Sequence, residues 1–353
     1  MKNRRIFTLL AALGLTLGLA SCQSSDSGKQ EVRILVPSAD HGWTGAVLTN
    51  AQSHADELNK KEGQKYNFVV TACESAEVQM NTVNDLEASS NIAGIVILPY
   101  DNTVESAITK LANGNIPFVM FDRIITNDAV NGSTSYVSGV KGDNEGIGKE
   151  TAKKFIELGL QKTDKILVMP GDNSSVPELR NKGFYEELKA NGWSQTDIDS
   201  QIKSTDYTGW SREKGKKLFE DAQNTIKDYK WIFTHDSEIS MGVLEALAGS
   251  TISEENKQAF KTNIKALGSS SGLEEMYQVI RGDHPRQSQY ATYIENTTLF
   301  DVTYDPGMIT SAIDDIVKHL NNEKVTKDHV IPVEVVDKSN VKNKTGFGGK
   351  VTA

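Results

Sequence analysis

Two kinds of residue in this sequence could hold a small molecule by complementary means. Asp122 and Arg123 are adjacent, so a carboxylate that accepts hydrogen bonds stands beside a guanidinium that donates them. Hydrogen bonds to charged groups contribute about 1.5 to 3 kcal/mol each. Trp43 and Trp210 each lie among polar neighbours, and an indole offers a flat apolar surface with a single donor. Together these residue types predict binding of a compact molecule that has both hydroxyl groups and apolar faces.

The sequence gives little sign of catalysis or of a bound metal ion. Its histidines show no paired spacing typical of a metal site, and Cys73 alone cannot build one. Segment 142–151 superficially suggests a phosphate-binding loop, but Lys149 is followed by Glu150 and the glycine spacing is wrong. Segment 268–272, three serines between two glycines, is not interpreted as a nucleophile elbow. We therefore expect no enzyme, no metal site and no cofactor.

The amino terminus predicts export from the cytoplasm. Three cations within residues 1–5 precede the uncharged apolar run 6–20, which is typical of a signal peptide and short for a spanning helix. The run leads into a Leu-Ala-Ser-Cys sequence ending at Cys22, which resembles the lipobox of bacterial lipoproteins. Residues 1–21 are therefore predicted to be removed and Cys22 to be lipidated. An ordinary secretory signal with an incidental cysteine is the alternative.

The sequence after the signal peptide predicts a globular protein on a flexible tether. Residues 22–30 are polar and serine-rich, which predicts a flexible tether, and an acylated Cys22 would hold the protein to a membrane. We expect it in the cell envelope, outside the cytoplasm. Removing the signal peptide leaves 332 residues (353 minus 21), enough for two lobes. The loss of three cations takes the formal charge from −9 to −12, and no basic cluster survives, so we expect no nucleic-acid partner.

Short β-branched runs alternate with stretches of helical period through the chain. Buried strands separated by helices predict parallel sheets covered on both faces, and the pattern restarts midway, which predicts two sheets. The predicted strands are 32–36, 67–71, 94–98, 117–121, 165–169, 201–205, 231–234 and 264–267. A late helix is predicted at 311–320 and a late strand at 330–336, which a single central sheet would not require. Segment 283–298, rich in polar and β-forming residues, is interpreted as an insertion.

Polar and aromatic residues follow most of the predicted strands. Ligands of open parallel sheets bind at the carboxyl ends of the strands, where the loops converge. Both halves present these loops in one direction, as a clamp around a ligand requires. The candidate residues at these ends are His41, Trp43, Tyr100, Asp122, Arg123, Trp210, His235, Ser270, Tyr304 and Asp305.

Several short segments resemble one known family in their order and spacing. They are Ile97-Leu98-Pro99-Tyr100, Phe121-Asp122-Arg123, Asp143-Asn144-Glu145, Gly209-Trp210, and Phe233-Thr234-His235-Asp236 running into Gly242-Val243-Leu244. From about Val32 to Gly346 the chain resembles the sugar-binding periplasmic proteins of bacterial importers, the ribose- and xylose-binding group. That fold is shared by the regulatory core of the lactose-repressor family.

The resemblance implies a type I periplasmic binding protein fold, an α/β architecture of two doubly wound parallel-sheet lobes joined by a three-strand hinge. It places the crossings near Val140, Tyr304 and Pro332. The predicted division is a signal peptide at 1–21, a tether at 22–30, an N-terminal lobe at 31–141 plus 306–331, and a C-terminal lobe at 142–305 plus 332–353.

The resemblance also implies how a sugar is held. A pyranose has two apolar C–H faces and a rim of hydroxyls. Trp43 falls where the family carries a stacking aromatic, and Trp210 matches the Gly-Trp of xylose-binding proteins. Asp122 and Arg123 match the ligand-gripping Asp-Arg of the family in place.

The second lobe departs from the family pattern. His235 stands where relatives have Asn, Ser270 falls near a sugar-binding Asp, and Asp305 falls at a lysine. Arg180 represents the family's arginine only approximately, and Glu178 lies nearer the expected place. These changes leave the identity of the sugar open.

The resemblance implies a small-molecule sugar as the ligand and an ABC transporter permease as the partner, with the protein acting as a monomer. A sugar sensor that docks on a histidine kinase or chemoreceptor is an alternative that the binding site does not separate. A related non-sugar ligand, such as a furanone signal or a cyclic polyol, is a third.

Overall fold

The computed structural model of the chain describes residues 28–38 and 42–352 and contains two six-stranded sheets. The predicted signal peptide, the lipidation site Cys22 and the candidate His41 lie outside the described residues. The strands are β1 (Glu31–Pro37), β2 (Asn67–Cys73), β3 (Ile92–Ile97), β4 (Phe118–Phe121), β5 (Tyr136–Gly142), β6 (Lys165–Met169), β7 (Ile202–Ser204), β8 (Tyr229–Thr234), β9 (Ala266–Ser271), β10 (Thr298–Thr303), β11 (Asp328–Ile331) and β12 (Val335–Asp337).

Helices flank both sheets. They are α1 (Gly42–Lys60), α2 (Ala76–Glu87), α3 (Glu105–Asn113), α4 (Asp128–Gly132), α5 (Asn144–Glu157), α6 (Ser175–Ala190), α7 (Gln195–Gln201), α8 (Arg212–Asp221), α9 (Ser237–Ala248), α10 (Glu254–Asn263), α11 (Glu274–Arg281), α12 (Gln287–Ile294) and α13 (Ile309–Leu320).

The strand order of each sheet is that of a doubly wound fold. The first sheet runs β11-β5-β4-β3-β1-β2, with neighbouring strands parallel. The second runs β12-β10-β9-β8-β6-β7, and of its described strands β12 alone is antiparallel to its neighbour. Because helices cover both faces, central strands are buried along their length: every residue of β4 and of β9 is buried, although β9 includes three serines.

Close helix packing brings two parts of the second lobe together. A Cβ added at Gly148 of α5 would lie 1.8 Å from the backbone oxygen of Arg180, and one added at Gly183 of α6 would lie 1.9 Å from that of Glu145. The two glycines therefore allow the backbones of α5 and α6 to touch, as larger residues could not. The close packing of α5 against α6 places Arg180 beside Asn144 at the start of α5.

The chain passes between the two sheets three times. It crosses between β5 and α5, between β10 and α13, and between β11 and β12. The late run predicted as a single strand at 330–336 is two strands, because β11 joins the first sheet and β12 the second. Segment 283–298, interpreted as an insertion, contains α12, whose Tyr290 and Ile294 are buried in the core of the second lobe.

Two broader features of the described part of the chain bear on function. Across residues 28–38 and 42–352, no helix has both the length and the apolar character needed to cross a membrane. Over the same residues, no group of three or more histidine, cysteine or acidic side chains is arranged to hold a metal ion.

Candidate functional site

A small cavity lies between the lobes, where the carboxyl ends of strands from both sheets meet. Its volume is about 20 Å³. That is room for about one ordered water. The lobes are therefore shut on this cavity, which is lined by Trp43, Asp122, Arg123, Val176, Arg180, Trp210, Asp236 and Tyr304.

The Asp122–Arg123 pair projects from the end of β4 in the first lobe. The backbone of Asp122 has φ +63°, in the left-handed region that a residue other than glycine seldom adopts, and such strain concentrates at functional sites. Burial raises the pKa of Asp122, although Arg123 and the Tyr304 hydroxyl oppose the rise. Tyr304 donates its hydroxyl hydrogen to Asp122 Oδ1. Arg123 Nη1 donates to the backbone oxygens of Pro99 and Tyr100.

Asp172, at the end of β6, connects the two lobes. Its Oδ2 lies 3.4 Å from Arg123 Nη2 of the first lobe and accepts a 2.7 Å hydrogen bond from the indole Nε1 of Trp210. Burial by itself raises the pKa of Asp172, but Arg123 and hydrogen bonds from Ser174 and Trp210 outweigh it and lower the pKa. The carboxylate therefore stays ionised and can hold both partners.

The two candidate tryptophans reach the same cavity from opposite lobes. Trp43 stacks on Phe121, with ring centroids 6.1 Å apart and planes 10° apart, and its Nε1 donates to the backbone oxygen of Tyr304 at 2.7 Å. Trp210 has φ +62° and lies so close to Gly171 that a Cβ there would be 2.3 Å from the indole ring. Fixed in these positions, the two rings can supply apolar walls for a ligand.

Arg180 fills the space between the walls. Its side chain is buried, with Nε donating to Asn144 Oδ1 at 3.0 Å and Nη1 donating to Ser270 Oγ at 2.9 Å and to the backbone oxygen of His235. The guanidinium lies 4.8 Å from the Tyr304 ring centroid. In the described part of the chain it has no carboxylate within 4 Å, and burial lowers its pKa. A buried cation with neutral partners is suited to donate to a ligand's oxygen atoms.

The cavity brings together six of the eleven residues predicted for the site. They are Trp43, Asp122, Arg123, Arg180, Trp210 and Tyr304. Ser270 lies behind the cavity as the acceptor of Arg180. Tyr100 contributes its backbone oxygen to Arg123, while its hydroxyl donates to the backbone of Glu74 at 3.3 Å. Asp305 is exposed and caps the short helical turn that begins at Pro306, accepting from the backbone N–H of Gly307 at 2.7 Å.

The placement of His235 corrects the prediction that its ring faces the ligand. The ring packs on Phe233, with centroids 4.7 Å apart, and is fully buried. Both of its nitrogens are buried without a hydrogen-bond partner. Burial, assisted by the charge of Arg180, lowers its pKa well below the ordinary value. The imidazole is therefore neutral, and it does not line the cavity.

Sequence reasoning missed three acidic or amide residues of the site. Asp172 lies three residues after the end of β6, so the rule used for the other strand ends could have found it. Asp236 follows β8 by two residues, lines the cavity and caps α9 by accepting from the N–H of Glu238 at 2.8 Å. Burial raises the pKa of Asp236 to about 8. Asn144 stands in a segment that resembles the family but was not a candidate, and its amide donates to the Tyr304 hydroxyl at 3.0 Å.

Comparisons with known proteins point to one family. Residues 32–297 match the model of a family described as periplasmic binding protein domain. A ribose import binding protein from Bacillus subtilis (strain 168) is 28% identical over 193 residues, which are 54% of this chain and 58% of that protein. The alignment thus spans less than two thirds of the relative's length.

Solved structures share the fold at low sequence identity. A galactofuranose-binding protein is 20% identical with a TM-score of 0.68, covering 89% of this chain and 96% of its own. An ABC transporter solute-binding protein from Mycobacterium smegmatis with bound glycerol is 21% identical with a TM-score of 0.69, covering 92% and 100%. One from Bacillus halodurans C-125 with bound myo-inositol is 17% identical with a TM-score of 0.66, covering 91% and 98%.

Proposed function

Because the chain belongs to the periplasmic binding protein family, we propose that it captures a monosaccharide between its lobes and delivers it to an ABC-type sugar importer. Family membership identifies a binding protein and not an enzyme, as the sequence predicted. The predicted fold, two doubly wound lobes of the type I class, is also confirmed. The observation that carries the proposal is the convergence of Trp43, Trp210, Asp122 and Arg123 on one interlobe cavity.

The chemistry of the cavity suits a sugar. Indole rings from the two lobes can cover the apolar C–H faces of a sugar ring, and Asp122, Asp172 and the two arginines can bond its hydroxyls. Relatives named for ribose and galactofuranose, and one holding myo-inositol, support a compact polyhydroxylated ring. Asp122 and Asp172 supply acceptors while Arg123 and Arg180 supply donors, so the site can satisfy hydroxyls in either role.

The cavity must enlarge for the ligand to enter. The shut cavity holds about one water, so a monosaccharide needs the lobes or the Arg180 side chain to move from the arrangement described. Three chain crossings that join the lobes permit rotation about a hinge, and bonds from both lobes to one ligand would then draw the cleft closed.

The place of action rests on the family and on the amino terminus. We propose that the protein works outside the cytoplasm, held to a membrane through lipid on Cys22. Support comes from the extracytoplasmic location implied by the family and from the lipobox-like sequence before that cysteine. Mass spectrometry of the membrane-extracted protein tests this: the proposal requires cleavage before Cys22 and acyl mass on it.

A thermal-shift screen tests the ligand class. The full chain, extracted in detergent, is heated with individual pentoses, hexoses and cyclic polyols, and affinity for any stabilising compound is measured by calorimetry. We expect one or a few monosaccharides to raise the melting temperature in the wild type and not in Arg123→Ala. No shift from any sugar of the panel contradicts the proposal.

A further inference from the structure

The lobes also touch beside the cavity, at residues that do not line it. Gly42, the first residue of α1 in the first lobe, lies against Glu238 of α9 and against Phe347 of the carboxyl-terminal tail. A Cβ built on Gly42 would lie 2.6 Å from Glu238 Oε1 and 3.6 Å from Phe347 Cε2. Real Cβ atoms do not approach an oxygen to 2.6 Å, so this contact needs glycine while the lobes are shut.

The carboxylate of Glu238 is held firmly in this position. Its Oε2 accepts a 2.6 Å hydrogen bond from Arg212 Nε. The same guanidinium donates to Glu275 at 2.5 Å and to Glu245 at 3.3 Å, so three carboxylates fix its orientation. The Glu238 side chain is 14% exposed. It cannot swing aside from a new methyl group without breaking the bond to Arg212.

The tail that carries Phe347 is likewise fixed to the second lobe. The backbone N–H of Phe347 donates to the oxygen of Gly272 at 3.0 Å, and its own oxygen accepts from the N–H of Glu274 at 2.9 Å. Further along, Gln278 exchanges two hydrogen bonds with the backbone of Val351, at 2.9 and 3.0 Å. Phe347 therefore moves with the second lobe, while Gly42 moves with the first.

We propose that Gly42, Glu238 and Phe347 form a clasp that stabilises the closed state and so raises ligand affinity from outside the cavity. The first turn of α1 carries the positive end of the helix dipole. The Glu238 carboxylate meets that end when the lobes are shut. Contacts made in the closed state alone lower the apparent dissociation constant by the factor with which they favour closure.

The variant Gly42→Ala tests the clasp directly. Gly42 does not have a positive φ, and alanine is the better helix former, so the first lobe keeps or gains stability. The added methyl group meets Glu238 only when the lobes close. Since the inference builds on sugar capture, the ligand measurement uses D-ribose, or the panel sugar that shifts melting if ribose does not. We expect its dissociation constant to rise about fivefold or more, with the melting temperature of the ligand-free protein unchanged or higher.

A matched control and a ligand-free measurement separate this inference from the proposed function. Gly132→Ala adds the same methyl group in the first lobe, at a position where a Cβ would meet nothing within 4 Å. Small-angle scattering of the ligand-free chain should show a larger radius of gyration for Gly42→Ala than for Gly132→Ala. Phe347→Ala, which removes the tail's side of the contact, should shift the radius in the same direction.

The results of these measurements either support or overturn the clasp. A raised dissociation constant or a larger ligand-free radius in Gly42→Ala supports the clasp. If no sugar binds, the proposed function fails and scattering alone decides the clasp. Equal radii and, where a sugar binds, equal affinities in Gly42→Ala and Gly132→Ala overturn it.

Discussion

The guanidinium of Arg123 lies 3.4 Å from the carboxylate of Asp172, and this ion pair crosses from one lobe to the other. The same carboxylate oxygen accepts the indole hydrogen of Trp210. Asp172 therefore ties a charged group of the first lobe to an aromatic wall of the second. Because both partners line the cavity, closing the lobes and shaping the ligand site are one event.

Replacing Asp172 with asparagine should weaken sugar binding without unfolding the protein. The amide can still accept from Trp210, but it loses the charge that attracts Arg123, and leaving a buried polar group without its partner costs about 1 to 3 kcal/mol. We expect the dissociation constant to rise about tenfold, measured by calorimetry. Asp221→Asn, which alters an exposed ion pair with Lys217 on α8, serves as the control and should bind normally. Equal affinity in both variants contradicts this role.

Adding a methyl group at Gly171 should displace the Trp210 ring and so weaken ligand binding. The Cβ would lie 2.3 Å from the indole, so the ring must move toward Arg180 and into the cavity. Overpacking of this kind costs about 1 to 3 kcal/mol of folding free energy. In Gly171→Ala we expect a cooperative but earlier thermal transition and loss of at least about tenfold in affinity, or about 1.4 kcal/mol. Normal affinity would show that the wall tolerates displacement.

The neighbouring residues Asp314 and Asp315 should differ sharply in their effect on stability. Asp315 is buried, with Ser138 Oγ and His329 Nδ1 at 3.3 and 2.8 Å from its Oδ2 and Lys318 Nζ at 3.2 Å from its Oδ1. It thus fastens α13 to β5 and β11. Asp315→Asn should lower the free energy of unfolding by about 1 to 3 kcal/mol. Asp314→Asn changes a half-exposed carboxylate beside His54 and should cost far less in urea titrations. Similar losses would show that Asp315 has no such special role.

Asp236 should make the protein less stable as the pH rises from 6.5 to 8. Burial raises the pKa of Asp236 to about 8 from 3.8, so over this range the folded state keeps a proton that the unfolded state releases. The free energy of unfolding then falls by up to about 1.4 kcal/mol per pH unit. Burial also raises the pKa of Asp301, to about 6, so its contribution of the same sign is largely complete below this window.

His235 acts in the opposite sense below pH 6.5. Burial lowers its pKa, so the unfolded state binds a proton that the folded state does not, and stability falls as the pH falls. Between pH 6.5 and 8 the contribution of Asp236 therefore stands out. Asp236→Asn keeps an acceptor for the N–H of Glu238 and should flatten the pH dependence in urea titrations. An unchanged slope, with Asp314→Asn as the reference, would mean that Asp236 is ionised in the folded protein.

The two sheets could be predicted from the sequence because buried parallel strands are short apolar runs between helices. The run at 330–336 shows the limit of that rule. It is apolar on both sides of Pro332, yet its halves pair with different sheets. Periodicity reports which residues are buried and does not report which strand lies alongside.

Six of the eight residues that line the cavity could also be predicted, because the end of a strand is visible in the sequence, whereas the direction of a side chain is less so. His235 was chosen for standing after β8. Side chains alternate along a strand, and Trp231, Phe233 and His235 share the face buried under the helices, which leaves Asp236 to point into the cleft. That alternation was a usable signal. The buried position of Arg180 between the two walls could not be predicted from the strand ends, since it depends on how closely α5 approaches α6.

The three crossings have a consequence for how the chain acquires its structure. The first sheet is completed by β11 and covered by α13, which follow all of the second lobe except β12 and the tail. A chain emerging from the ribosome therefore carries an unfinished first lobe, with the edge of β5 unpaired, until residue 331 has been made. No single cut of the polypeptide therefore yields two complete lobes.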